Sequence, residues 1–391
     1  MPDNNTVLYQ VLKHVPEARF KELVKTHRSD EAARGLDSKT QLVALLYGQL
    51  SGAPGLRAIV TELESHEERL SELGCDPVRR STLSDANRYR PAALFGDLLG
   101  AVLDQVHRGL RRHLDGATYL IDSTSVRLSA LSERWARFSA TACGAKAHIV
   151  YDPDADRPIH AVVTPARVTD LTVAKAMPIT AGATYVFDLG YYDYGWWADL
   201  HAADCRFVTR FNTPLTVEEE RAVPPASAEG GVILSDRVGR LPERQASRRK
   251  NPFQAKVREV RVRIETGTVL RILSNDLKAT AQEIADLYKR RWAIELFFRW
   301  VKQTLKIRHF VGVSENAVRL QIAVALIAFV LLRLAQATQD AIESPLTFAR
   351  LVRANLMHRR PIDQLLPPEA RPKKRQALKK RRPIGLQEAP A

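Results

Sequence analysis

The sequence predicts an α/β protein whose mixed sheet follows an all-α N-terminal segment, and three features carry that prediction. Apolar residues recur at helical spacing from residue 1 to about 110. At residue 117 this pattern gives way to short apolar runs of strand length, with a helical stretch between them. From about 212 to 278 the helical signal disappears, and a long amphipathic helix then begins at Thr280.

In chain order, Phe20–Val24 and Thr40–Leu50 read as helices, with Ser38 as the cap of the second. Ser51-Gly-Ala-Pro-Gly55 breaks the pattern and Leu56–Leu63 resumes it, the outline of a helix-turn-helix or of any helical hairpin. Ser81 is expected to cap the next helix, whose Asn87, Arg88 and Arg90 could face a phosphate or a base edge. An amphipathic helix, Ala92–Leu110, leads into the sheet. Thr118–Asp122 reads as a strand, Ala147–Tyr151 and Ile159–Val163 as a hairpin across the turn-rich Asp152–Pro158, and Thr169–Met177 as a capped helix. Thr184–Asp188 is a second strand ending in an acid; a helix over Tyr192–Ala203 and a strand over Cys205–Phe211 follow. Val257–Glu265 and Val269–Leu273 read as strands of a small β insertion with basic residues on one alternating face. Ser314 caps a buried helix, and residues 346–391 hold short helices at most and a basic tail. The expected divisions are therefore 1–110 (helical, DNA-binding), 111–211 and 279–345 (two parts of one core), 212–278 (the insertion) and 346–391.

The formal net charge is +15, and the segment Arg371–Arg382 holds eight basic residues and no acid, so a surplus of seven is spread over the body. Such a balance favours a polyanionic partner, nucleic acid before membrane. Three distant cysteines, Cys75, Cys143 and Cys205, form no C-x-x-C pair and suggest neither zinc nor a disulfide framework. No signal pattern opens the chain, and the apolar run Ile322–Leu332 reads as core rather than a membrane span, so a bacterial cytoplasmic setting, near the nucleoid, is expected. No P-loop or glycine-rich phosphate fingerprint is present.

The chemistry concentrates in three acids. Asp122 and Asp188 each end a strand-like run, where the ligands of open α/β sheets gather. Read as one helix at about 100° per residue, Tyr288–Lys302 places Tyr288, Arg291, Glu295 and Lys302 within an arc of ~60°. Trp292 and Arg299 lie close by, and Ile294, Phe297, Phe298 and Val301 form the adjoining apolar stripe. Two Asp need a third carboxylate to fix hard divalent ions, and Glu295 is the candidate; three such acids on two Mg²⁺ suit in-line phosphoryl transfer. Singly, each Asp reads by default as a strand-end turn former and Glu295 as a surface ion-pair partner.

Ile121-Asp122-Ser-Thr-Ser, Phe187-Asp188-Leu-Gly-Tyr191 and Tyr288-x2-Arg291-x3-Glu295-x6-Lys302 together resemble bacterial DDE transposases of the insertion-sequence-four group, the last matching that group's Y-R-E-K signature at every gap. Lys306–Gly312 and Arg80–Asn87 extend the resemblance over nearly the whole chain. It implies an RNase H-like catalytic core with a β insertion behind a helical DNA-binding domain. It implies cut-and-paste transposition by a homodimeric synaptic complex on double-stranded DNA, inverted repeats and target alike. Asp122, Asp188 and Glu295 would bind Mg²⁺ or Mn²⁺, while Tyr288, Arg291 and Lys302 grip phosphates. Trp292 matches the tryptophan on which relatives stack a flipped base. A second stacking tryptophan, which relatives place in the insertion, has no counterpart in 212–278; Trp196-Trp197 reads as helix packing. The rival within enzymes is an RNase H-like endonuclease or resolvase that hydrolyses DNA without strand transfer.

Overall fold

A computed structural model describes residues 5–31, 33, 35–108, 117–223, 232–244, 250–304 and 312–366. The Lys306–Val311 part of the expected motif, the basic tail and most of the Arg244–Lys250 stretch lie outside the described residues.

Every element between Val7 and Arg108 is helical. Helix Ser38–Ser51 is buried on nearly all sides, which suits a hub rather than a helix laid on a duplex. Its cap is Asp37, whose side chain accepts the Thr40 N–H, so Ser38 is the first helical residue and not the cap. Gly52 ends it in the left-handed region that favours glycine. Gly48 lets helix Leu56–Glu64 close in: a Cβ there would stand 2.3 Å from Ile59 Cδ1. Helix Arg80–Tyr89 begins after Arg79, leaving Ser81 inside its first turn.

Ten strands form one sheet: β1 (Thr118–Leu128), β2 (Arg137–Ser139), β3 (Ala142–Asp152), β4 (Arg157–Pro165), β5 (Thr184–Phe187), β6 (Arg206–Arg210), β7 (Thr216–Arg221), β8 (Val232–Arg240), β9 (Val257–Arg263) and β10 (Val269–Ser274). The order is β4-β3-β1-β5-β6-β10-β9-β8-β7, with the short β2 on one end of β3. β1, β5 and β6 are parallel; the other pairs are antiparallel. The strands of the insertion therefore prolong the main sheet through β10 instead of forming a separate one.

Alternation along the strands sorts two cores. Tyr119, Ile121, Val150, Tyr185, Phe187 and Phe207 join helices Asp170–Ala176 and Tyr194–Ala202 on one face, an aromatic layer that buries Trp196 and Trp197. Leu120, Val126, Ile149, Val186 and Val208 join Ile294, Phe297, Phe298 and Val301 on the other, with Tyr151 and Phe297 rings 4.9 Å apart. That second core continues into helix Glu315–Gln336 and the N-terminal helices. The 22-residue Glu315–Gln336 is apolar and long enough to cross a membrane, but 83% of its apolar window is buried inside the protein. The β3–β4 turn fastens this side, with Arg290 on Asp154 and Arg333 on Asp156.

Two expectations of phosphate-facing side chains are revised by packing, although Arg88 stays exposed, over the Tyr89 ring. Asn87 is 3% exposed, its Oδ1 accepting from Gln41, and Arg90 donates to Gln41 Oε1 and the Ser29 carbonyl beside Asp30; both join helices. On the insertion strands, Arg258 is buried against Asp236 at 2.6 Å, and Arg261 and Arg271 both bond the buried Glu259. These arginines are neutralised within the sheet rather than offered from it. Asp236→Ala should lower unfolding free energy by about 3–5 kcal/mol in urea titration, since it strands a buried guanidinium.

Candidate active site

The parallel register sets the site. Thr118 pairs with Thr184 and Leu120 with Val186, which puts Asp122 level with Asp188. β5 stops at Phe187, whereas β1 runs on to Leu128. Asp122 is thus not at a strand end, as the apolar run suggested; it sits mid-strand, still paired with Ile149 of β3, where its neighbour on the other side has ended. Asp122 follows Leu120 in pointing to the face that carries the Ile294–Val301 stripe.

The expected continuous helix is two, Ala281–Arg290 and Trp292–Thr304, broken at Arg291. Arg291 N–H bonds the Tyr288 carbonyl and Ile294 N–H bonds the Arg291 carbonyl, both three residues apart, a tightened turn between the helices. The first helix starts in a capping box of Thr280 and Glu283. The break leaves the Arg291 guanidinium bridging Asp122, at 3.4 Å, and Glu295. Arg291, Asp122 and Glu295 are only 18%, 19% and 30% exposed, so this is a poorly screened cluster. Among the described residues no three acidic, histidine or cysteine side chains stand at metal-sharing separation in this arrangement.

The Asp122 carboxyl is pushed up to about 6, first by burial, with the charges of Asp188 and Glu295 adding to it and the Ser123 N–H and Arg291 opposing. Asp188 follows β5 directly, its Oδ1 accepting the Gly190 N–H at 2.8 Å and its carbonyl accepting the Thr209 hydroxyl at 3.3 Å. Tyr288 is buried against the same cluster, its ring 5.8 Å from the Arg291 guanidinium carbon. Trp292 is 53% exposed, with Arg299 over its ring. Lys302 lies two turns along, lining a small apolar cavity with Thr124, Phe298 and Val301. The structure therefore brings Asp122, Asp188, Tyr288, Arg291 and Glu295 together and sets Trp292 and Lys302 on the flanks of the second helix.

Sequence reasoning passed over a fourth acid. Asp170, just after the cap Thr169, accepts from Ser123 Oγ at 2.7 Å and Lys146 Nζ at 3.1 Å, with His148 Nδ1 at 3.4 Å. Burial, more than the opposing Asp170 charge, draws His148 down to about 4. The available signal was an acid in the first turn of a helix packed on the sheet. Its strand partners show no local pattern.

Ionising a carboxyl that titrates near 6 rather than 3.8 costs the fold on the order of 3 kcal/mol at neutral pH. Because the folded value is raised, that penalty is full above about pH 6 and fades as pH falls towards 4. Asp122→Asn should therefore stabilise the protein alone by about 1–3 kcal/mol at pH 7.5 and hardly at all at pH 4, in paired denaturation curves.

A family model described as a transposase DDE domain matches residues 114–331. A second, described as a domain of unknown function (DUF4372), matches residues 3–76. A chain of Sinorhizobium fredii named as transposase y4zB is 40% identical over 296 residues, 75% of this chain and 82% of its own. A Geobacillus stearothermophilus chain named as a transposase for insertion sequence element IS5377 is 29% identical over 286 residues, 72% and 74% of the two chains. A weak likeness, TM-score 0.46 and 12% identity, over 90% of this chain and 80% of the other, links it to a piggyBac transposase in a synaptic complex with hairpin DNA. The domain match over more than half the chain and the 40% identity place this protein in the family: it is a DDE transposase of the kind encoded by bacterial insertion sequences.

Proposed function

We propose that this transposase excises and inserts its element by divalent-metal phosphoryl transfer at inverted-repeat ends, with Asp122, Asp188 and Glu295 as the catalytic acids. One observation carries the reading: the β1–β5 register sets Asp122 level with Asp188 on the face where Arg291 ties Asp122 to Glu295. The hairpin β1-β3-β4 followed by parallel β5 and β6, with helices on both faces, supports an RNase H-like core; the helices before Arg108, to which we assign a DNA-binding role, share one apolar core with it.

The donor set fits a hard cation. Three carboxylates offer oxygen ligands, and Asp122, whose carboxyl is raised first by burial and further by the charges of Asp188 and Glu295, is a group whose ionised form a bound cation would favour. Bound Mg²⁺ or Mn²⁺ would supply Lewis acidity to the attacking and leaving oxygens of an in-line displacement. Arg291 now carries part of that neutralising role. Its Nε–H has no partner among the described residues, so its guanidinium can exchange Asp122 for a phosphate oxygen without breaking a complete set of bonds. Tyr288 stays protonated through burial and can donate to the same phosphate. Lys302 would follow the backbone, and the exposed Trp292 would stack a base displaced from the end. Two copies would hold the two ends in a dimeric synapse.

Asp188→Ala should reduce single-turnover nicking of a duplex carrying the DNA that flanks the gene by at least ~10³-fold, while end binding in a gel assay changes little. Survival of nicking would refute the assignment. A pre-nicked donor that is never joined to target would refute strand transfer. End affinity should also fall steeply with added salt, the logarithm of the binding constant dropping linearly with that of the salt concentration.

A further inference from the structure

Asp170 lies on the opposite face of the sheet from Glu295, at the start of helix Asp170–Ala176 in the aromatic layer. Its Oδ1 gathers donors from two adjacent strands: Ser123 Oγ of β1 at 2.7 Å and Lys146 Nζ of β3 at 3.1 Å, with His148 Nδ1 of β3 at 3.4 Å. Ser123 and His148 are direct partners across the β1–β3 ladder. Ser123 is also tied to the site, since its backbone N–H donates to Asp122 Oδ1 at 2.7 Å. One residue thus joins the two acids through the thickness of the sheet.

The second oxygen faces the other half of the pair. A Cβ placed on Gly190 would lie 3.0 Å from Asp188 Oδ1 and 3.9 Å from Asp170 Oδ2, so the two acids approach this glycine together. Next to it, the Tyr191 hydroxyl is buried with no partner among the described residues. Burial, reinforced by the charges of Asp122, Asp170 and Asp188, raises its pKa and keeps it a proton donor amid three carboxylates.

We infer that Asp170 is a positioning residue of the transposase site: from the back of the sheet it clamps Ser123, and so holds Asp122 at its distance from Asp188. The inference rests on the catalytic reading of Asp122, Asp188 and Glu295. A plain structural role, an acid favourable at a helix start and paired with a lysine, accounts for Lys146 but not for the Ser123 link to Asp122. A strand free to shift by ~1 Å at this point would cost on the order of 10²-fold in a reaction needing fixed geometry.

The full chain separates the readings through four variants, Asp170→Asn, Ser123→Ala, the two combined, and Asp122→Asn as control. For each, single-turnover nicking at saturating flanking-end duplex, duplex affinity, melting temperature, and the Mn²⁺ concentration giving half-maximal thermal stabilisation are measured. Asp170→Asn is expected to nick about 10–100-fold more slowly and to need about tenfold more Mn²⁺ for the thermal shift, with duplex affinity within about twofold. Ser123→Ala should reproduce the direction of both changes, and the combined variant should add little to Asp170→Asn, the signature of one shared path. Unchanged nicking and Mn²⁺ response in Asp170→Asn overturns the inference. So does a lowered melting temperature in Asp170→Asn alongside a wild-type Ser123→Ala. If Asp170→Asn does not fold, Ser123→Ala decides alone, and wild-type behaviour there overturns it. Full nicking by Asp122→Asn would instead bring down the catalytic reading itself.

Discussion

The arrangement of this protein depends on a single register, the parallel pairing of Thr118–Leu120 with Thr184–Val186. Because strand side chains alternate with period two, that pairing fixes which face each following residue takes. It sets Asp122 beside Asp188, sends the even-numbered apolar residues of β1 towards the helix that bears Glu295, and sends Ser123 the other way, towards Asp170. A slip of one residue would turn Asp122 into the aromatic layer. The two cores guard against that slip, since it would take Tyr119, Ile121, Tyr185 and Phe187 out of the aromatic layer in which they are buried.

Placing an acid in so buried a position beside two others has a cost, visible in the Asp122 carboxyl, which burial first and the neighbouring charges second push up. Arg291 answers it. From the tightened turn between the helices, this one side chain reaches Glu295 at ordinary helical spacing and Asp122 on the sheet. A buried acid with a shifted pKa beside charged partners is common at ligand sites. In the function we propose, Arg291 is a resident counterion rather than a fixed strut.

Much of the fold was legible because local chemistry and packing agree. Thr169 and Ser314 cap their helices as read, Gly52 ends Ser38–Ser51, and the β3–β4 hairpin spans the Asp152–Pro158 turn. The resemblance to insertion-sequence transposases, carried by the motifs around Asp122, Asp188 and Glu295 together, agrees with the family match. What stayed hidden is non-local. Asn87 and Arg90 looked solvent-facing on a small helix, yet they cross-link it to helix Ser38–Ser51 and to Asn316. The arginines of β9 and β10 looked like a basic face; Glu259 is a local partner of Arg261 within β9, but the pairing of Arg258 with Asp236 and of Arg271 with Glu259 is visible only once β8, β9 and β10 are aligned. Asp170 was silent for the same reason, its partners being contributed by β1 and β3.

The central claim is that Asp122, Asp188 and Glu295 form one cation site at which Arg291 stands in as counterion. A crystal structure of the protein on a duplex end with Mn²⁺, using anomalous scattering to locate the metal, tests it most directly. The account predicts manganese peaks bound by Asp122 and Asp188, with Glu295 in or against the coordination sphere and Arg291 turned onto a DNA phosphate. Manganese bound elsewhere, with Arg291 still bridging Asp122 and Glu295, would contradict it.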